Sequence, residues 1–322
     1  MLNKPNDIFY LGCKQNKILK AQPDIDVNTL RMLAYWIKER SYIHLKKDVY
    51  KLPKPWTEDK IFQTVRFTNV RREFDKESLY LITKICLKKN LLIKEKLANI
   101  IFFRIINKRE SVQGIFPLQF EQRCNIDAYR TYEKSLGENY PIFKKVYMIS
   151  GPMGQIRNLF PDSSAFISVL KYVWYLYQDN KLSFIENPKI NAQTTFEHLK
   201  KLPGIGSFLA YQIFVDLTYC SEYPCSENEF VVAGPGCKEG LKLLFNDRSK
   251  MSCEESLFWL RDNWKNLMEY CHIDWDPDII FSDLPTYDRY MNVMSLQNCF
   301  CELLKYYRAY NGGFVIRHYK GV

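Results

Sequence analysis

The chain has 322 residues, 47% of them hydrophobic, enough for one substantial core or two lobes around a cleft. Its formal net charge is +10, and no run approaches the roughly 18 apolar residues of a membrane span, so a polyanionic partner is expected and a membrane is not. The start, Met1-Leu2-Asn3-Lys4-Pro5-Asn6, has no apolar leader core, and the expectation is a soluble protein acting in a cytoplasm. That would be the host's cytoplasm for a phage protein, and the nucleus for a eukaryotic one.

Taken in chain order, the pattern is mostly helical. Val27 to Arg40 carries Leu30, Leu33, Ala34 and Ile37 on one stripe, with Asp26 and Asn28 supplying a cap. A Pro-rich extended link, Lys51 to Thr57, ends where Thr57 would cap a helix from Glu58. Ser78 to Lys89, Lys94 to Asn107 and Asn125 to Leu136 have helical spacing, broken by Gly114 to Pro117. Pro141 to Met148 reads as a short strand leading into a turn at Gly151-Pro152-Met153-Gly154. Ser163 to Tyr177 is an aromatic amphipathic helix, Glu254 to Met268 another, and the last runs from about Tyr287 to Tyr307.

The basic residues are clustered: Lys14 to Lys20, Lys46-Lys47, Arg66 with Arg71-Arg72, Lys84 to Lys96, Lys144-Lys145 and Lys200-Lys201. Interleaved with 22 Tyr and 21 Phe, they suit phosphates and stacked bases. Lys-rich faces also solubilise helices, and for any single cluster that plainer reading is the better one. The ten cysteines are scattered without a C-x-x-C and the four histidines lie far apart, so reduced, mostly buried thiols and no zinc site are expected.

Leu202-Pro203-Gly204-Ile205-Gly206 carries the most local information. Phe196, Leu199 and Leu202 precede it at helical spacing and an apolar run follows to Tyr219, so it reads as helix, hairpin, helix over about 194–219. Gly204 and Gly206 can both take positive φ, which would turn successive N–H groups outward at a helix start as a seat for a DNA phosphate. Any helix–helix turn can use Gly and Pro, so the seat is one of two readings.

Three further motifs stand out. Arg66 to Ser78 packs three arginines with Asn69 and Asp75 and lacks helical periodicity. It suits phosphate and base contacts, or equally a surface laced by pairs such as Arg71 with Asp75. Phe230 to Gly240 ends an apolar run in Gly234-Pro235-Gly236 and re-enters a helix near Lys238, a bend that either admits substrate to the backbone or simply turns the chain. It is not a phosphate-binding G-x-x-x-x-G-K-[ST] loop, which occurs nowhere in the chain. In the final helix, Gln297, Asn298, Glu302 and Lys305 interrupt the core spacing, with Asn298 and Glu302 four apart on one face.

In this order, F-T-N-V-R-R-E-F-D (Phe67 to Asp75), L-P-G-I-G with Gln212 and Asp216 following, A-G-P-G-x-x-x-G (Ala233 to Gly240) and C-x-C-E-x-x-K-Y (Cys299 through Tyr306) resemble the α-glutamyl/putrescinyl-thymine pyrophosphorylases, also described as amino acid:DNA transferases. The resemblance spans about residues 28 to 310. It implies a mainly α, two-lobed, helix-hairpin-helix DNA glycosylase-like fold forming a single catalytic domain over residues 1–322. The Asp expected about twenty residues beyond the hairpin of such a glycosylase is replaced by Ala233-Gly234-Pro235, which argues against base excision.

The implied reaction is displacement of pyrophosphate from 5-pyrophosphoryloxymethyluracil in double-stranded DNA by an amino acid or polyamine, after a separate 5-hydroxymethyluracil DNA kinase has acted. Leaving-group charge needs fixed cations or N–H donors, for which Arg66, Arg72, Asn69, Lys238, Lys305 and the Gly234-Pro235-Gly236 backbone are candidates. The amine must be deprotonated, and Asp75, Asp216 and Glu302 are the candidate acids, with Arg72 beside them in the catalytic set. Asp216 has an equally good reading as a helix-end ion pair. No cofactor is implied; Mg²⁺ on the pyrophosphate is compatible with the chemistry, but no ligand set for it is visible. The alternatives are a helix-hairpin-helix base-excision glycosylase, a non-catalytic DNA-binding module of a modification complex, and a diverged enzyme acting on another modified pyrimidine.

Overall fold

A computed structural model of the chain describes residues 23–120, 124–144, 150–248 and 250–315. The expected features at Met1 to Asn6, Lys14 to Lys20 and Lys145, and the 145–148 half of the expected strand, lie outside them. Among the described residues the chain is mainly α: thirteen helices, short 3-10 and π turns, and one pair of short strands. The helices are α1 (Val27–His44), α2 (Lys60–Thr64), α3 (Lys76–Leu81), α4 (Ile93–Ile106), α5 (Ile126–Ser135), α6 (Ser150–Leu159), α7 (Ala165–Gln178), α8 (Ala192–Lys200), α9 (Ser207–Leu217), α10 (Pro235–Leu244), α11 (Cys253–Tyr270), α12 (Pro277–Ile280) and α13 (Val293–Tyr310). The chain divides into two compact units, one discontinuous (Met1–Arg72 with Val231–Val322) and one continuous (Glu73–Phe230).

In the discontinuous unit, α1 starts where Asp26 Oδ1 accepts the Thr29 N–H at 2.6 Å, and its Leu30, Leu33, Ala34 and Ile37 stripe is fully buried. The helix expected from Glu58 begins later, at Lys60, because Asp59 rather than Thr57 caps it. Asp59 Oδ1 accepts from the Ile61 N–H at 2.7 Å, while Thr57 Oγ1 accepts from the Asp59 N–H at 3.0 Å. The last helix also starts later than expected. Asn292 Oδ1 takes the Ser295 N–H at 2.7 Å to begin α13, and Tyr287 sits in a separate 3-10 turn, Thr286–Asp288.

α13 is the axis of this unit and packs against α10, α1, α11 and α2. Its crossing with α10 is close because Gly236 and Gly240, four apart on one face, meet it without side chains. A Cβ on Gly236 would lie 3.2 Å from Cys301 Sγ, and one on Gly240 would overlap the Phe300 carbonyl. β1 (Asp24–Ile25) pairs antiparallel with β2 (Phe245–Asp247) just after α10.

In the continuous unit α4 is the central helix. Leu97, Ala98, Ile100, Ile101, Phe102, Phe103 and Ile106 are buried around its whole circumference, as a helix covered on all sides requires, and α7 and α9 pack on it. The expected single helix over Ser78 to Lys89 is instead α3 followed by a π turn at Ile82–Cys86. Nor is Gly151 to Gly154 a turn; it forms the first turn of α6. Pro is tolerated there because early N–H groups have no intrahelical partner. Asn125, Ser164 and Asn191 cap α5, α7 and α8 through their side-chain oxygens.

Candidate functional site

The hairpin lies in the continuous unit, with α8 entering and α9 leaving it. Leu202 and Ile205 are plugs into the core, and the Tyr172 hydroxyl of α7 donates to the Pro203 carbonyl at 2.7 Å. Of the two glycines that can take positive φ, only Gly204 does (+78°); Gly206 is the N-cap of α9 at φ −77°. The Gly204 N–H does not point outward either: it donates to Gln155 Oε1 of α6 at 2.8 Å. The Ile205 N–H is likewise used, by the Leu202 carbonyl at 3.0 Å. What remains for an anion is the exposed first turn of α9, Gly206, Ser207 and Phe208, flanked by exposed Lys200 and Lys201.

Asp216 belongs to the buried interior of the same unit. Its carboxylate is fully buried and paired through both oxygens with the Arg104 guanidinium, whose Nη2 donates to Oδ1 at 2.7 Å. Arg104 also donates to Ser78 Oγ and Asn107 Oδ1, each at 3.1 Å, so the charge is compensated within one polar knot linking α3, α4 and α9. Asp75 stands at the N-cap of α3, its carbonyl accepting from the Leu79 N–H at 2.8 Å.

The remaining candidates fall in the discontinuous unit, and the edge of α13 gathers several of them. Asn298 Nδ2 donates to the Asn69 carbonyl at 2.9 Å and to Thr68 Oγ1 at 3.2 Å. One turn on, Glu302 Oε2 accepts the Thr68 N–H at 3.3 Å and pairs with the Lys305 ammonium, while the Thr68 carbonyl accepts from Arg40 Nε at 2.9 Å. The stretch Phe67 to Asn69 is thus held by α13 on one side and α1 on the other. Phe67 anchors it among Trp36, Phe62 and Tyr306, with Lys305 Nζ 5.5 Å from its ring centroid.

The A-G-P-G segment meets the same helix from α10. Gly234 is the N-cap and Pro235 the first helical residue, so the Gly-Pro-Gly stretch is the helix start itself and Lys238 lies one turn inside it, not at its beginning. A Cβ on Gly234 would lie 3.7 Å from Gln297 Nε2, and the Ala233 N–H donates to Glu254 Oε1 at 2.9 Å. Two of these glycines therefore admit α13 rather than a ligand. Arg66 and Lys238 are exposed, whereas Arg72 is buried at the head of a 3-10 turn. Arg71 donates to Asp288 Oδ2 at 2.7 Å.

Charge at this edge is well defined. Burial and then the neighbouring Glu302 push the Cys301 thiol up to about 12, against the pull of Lys305, a shift that favours the neutral thiol. Nearby, Asp59 Oδ2 accepts from the Tyr35 and Tyr306 hydroxyls at 3.0 and 2.7 Å, and burial followed by the Asp59 charge raises both phenols well above their ordinary range. Sequence reasoning missed Thr68, Arg40 and Asp59. Only Tyr306, ending the C-x-C-E-x-x-K-Y motif, hinted at the last of them. Among the described residues no cluster of three or more His, Cys, Asp or Glu side chains is arranged to hold a metal ion.

Comparison with known proteins gives two matches of different kinds. A family model described as "5-hmdU DNA kinase, helical domain" matches residues 27–313. The 5-hmdU DNA kinase of Bacillus phage SP10 is 25% identical over 328 residues, covering 96% of this chain and 48% of the relative. The chain thus spans about half the length of that curated relative. No solved structure matches. The family shown is named for a kinase and not for the pyrophosphorylases that the motifs resemble. On residues 27–313, the chain belongs to the family of the 5-hmdU DNA kinase helical domain.

Proposed function

We propose that this chain acts on DNA bearing 5-hydroxymethyluracil derivatives, in the hypermodification of thymine. We further assign to it the displacement of pyrophosphate from 5-pyrophosphoryloxymethyluracil by an amine. The observation that carries the reading is the edge of α13. A buried carboxylate, Glu302, stands beside a cation, Lys305, and an amide, Asn298, against the Thr68 to Asn69 backbone. The family name supplies the base.

In the step itself the amine nitrogen attacks the exocyclic methylene carbon, the carbon–oxygen bond to pyrophosphate breaks, and one amine proton is lost. Glu302 is the acid we assign to take that proton; Asp216 is fully buried and held through both oxygens by Arg104. Exposed Arg66 and Lys238, together with Lys305, are the cations for the departing pyrophosphate, and any Mg²⁺ would arrive as part of that substrate. The target base must leave the stack, at a cost of a few kcal/mol. The exposed start of α9 after Gly204 would offer duplex DNA a phosphate seat. A kinase must install the leaving group, and an amino acid or polyamine must supply the amine.

A second reading is favoured by the coverage of the phage relative. A chain matching 48% of a protein named a kinase could be the half that presents DNA to a phosphorylating partner. One experiment separates the two. The chain is incubated with DNA carrying 5-pyrophosphoryloxymethyluracil and a pool of amino acids and polyamines, and the digested nucleosides are weighed. An adduct on the thymine methyl carbon establishes the transferase and names its amine. Unchanged substrate, with tighter binding of 5-hydroxymethyluracil DNA than of thymine DNA, supports the presenting half. Abasic sites would mean a glycosylase.

A further inference from the structure

The loop that follows α1 takes no part in the site just described, yet it concentrates like charge on one ring. Lys47 Nζ lies 5.5 Å from the Trp56 ring centroid and Lys54 Nζ 5.3 Å from it, while Lys46 Nζ donates to the Trp56 carbonyl at 3.1 Å. A fourth lysine, Lys51, donates to the Asp48 carbonyl at 2.6 Å. Between Leu45 and Trp56 the one acid is Asp48. It lies 3.7 Å from Lys47 and is shared with His44, whose Nδ1 is 3.2 Å from it.

The loop is built rather than loose. The Tyr50 and Leu52 N–H groups donate to the Leu45 and Lys46 carbonyls, each at 2.8 Å, and the Trp56 indole N–H donates to the Leu52 carbonyl at 2.8 Å. This frame holds apolar side chains outward beside the cations: Tyr50 is 59% exposed, and Val49 and Leu52 are exposed with it. Ammonium groups gathered round one tryptophan would attract an anion, and the exposed tyrosine in the same loop offers a face for a base.

We infer that the Lys46 to Trp56 loop is a second nucleic-acid contact, in which Lys47 and Lys54 take backbone phosphates and Tyr50 stacks on a base. This inference rests on the reading of the chain as a DNA-acting domain and adds to it a contact outside the hairpin. Charge complementarity selects the occupant: the cluster is cationic, and the stacking face distinguishes a nucleic acid from a membrane surface or an acidic peptide.

The test uses the full chain and fluorescently labelled duplex and single-stranded oligonucleotides over a salt series. Lys47→Gln with Lys54→Gln should weaken binding at least tenfold and lower the slope of log K against log salt by about two, one per lost phosphate contact. Tyr50→Ala should weaken binding of the single strand most, whereas Tyr50→Phe, which keeps the ring, should bind like the wild type. Circular dichroism checks that each variant keeps its helices. If the wild type binds DNA and all variants match it in affinity and slope, the loop contact is overturned while the DNA-acting reading stands. If the wild type binds no DNA, both fall. Binding to phosphatidylserine vesicles with no preference for Tyr50 over Ala would also overturn the loop's assignment to nucleic acid.

Discussion

Two carboxylates of similar sequence appearance have different fates at the level of single residues. Glu302 is buried but sits with Lys305 and the Thr68 N–H at the edge of a helix, whereas Asp216 is enclosed with Arg104 in a compensated pair. Glu302→Gln removes the charge and keeps an acceptor for Thr68. Amine transfer should therefore fall by about 10²- to 10⁴-fold, the usual range for loss of a general base, with DNA affinity unchanged in an anisotropy titration. Retained turnover in that variant would remove Glu302 from the chemistry. Asp216→Asn leaves the Arg104 guanidinium buried without its counter-charge, so stability should drop by about 3–5 kcal/mol in urea unfolding. Out of a total of roughly 5–15 kcal/mol for a typical protein, that is a severe loss. An unchanged urea midpoint with lost turnover would return Asp216 to the catalytic acids.

Glycines sort by what lies opposite them once the helices are considered as elements. Gly240 is where α10 meets the Phe300 carbonyl of α13, so Gly240→Ala must push the two helices apart. A cost of about 1–3 kcal/mol or more is expected, read as a lowered thermal midpoint. Because α10 and α13 together position Gly234, Gln297 and Glu302, turnover should suffer with it. Gly206 gives the opposite result. Its φ is −77° and a Cβ there would meet nothing within 4 Å, so Gly206→Ala should leave the midpoint within about 0.5 kcal/mol of wild type. A large destabilisation at Gly206 would show that the hairpin needs its second glycine after all. Gly204, at φ +78° and packed against the Pro152 carbonyl, is the position where that need is real.

For the molecule as a whole, the +10 charge is the property that acts at long range. With six to ten phosphates contacted, duplex affinity should fall by about 10³- to 10⁵-fold between 50 and 200 mM salt. A nearly flat salt series would mean that lysines such as Lys84, Lys88 and Lys89 only solubilise the surface. The division of the chain also belongs to this scale. The discontinuous unit is completed only when residues from Val231 onward return to those before Arg72, so α1 and α13, from opposite ends, share one core.

The sequence by itself determined the helical class, the hairpin with its flanking α8 and α9, the cap at Asp26, and the Asn298–Glu302 face. Each of these depends on side-chain periodicity or on a polar residue beside its own helix, so neighbours in the chain decide it. Tertiary structure alone decided what that face meets. Thr68 is 230 positions from Asn298, and Asp216 is 112 from Arg104, separations that no local pattern encodes. It also decided that Gly236 and Gly240 make room for a helix, that Gly204 spends its N–H on Gln155, and that three lysines converge on Trp56. A small residue or a lysine has the same local signature whether its partner is a ligand, a helix or solvent, and only packing brings that partner to it.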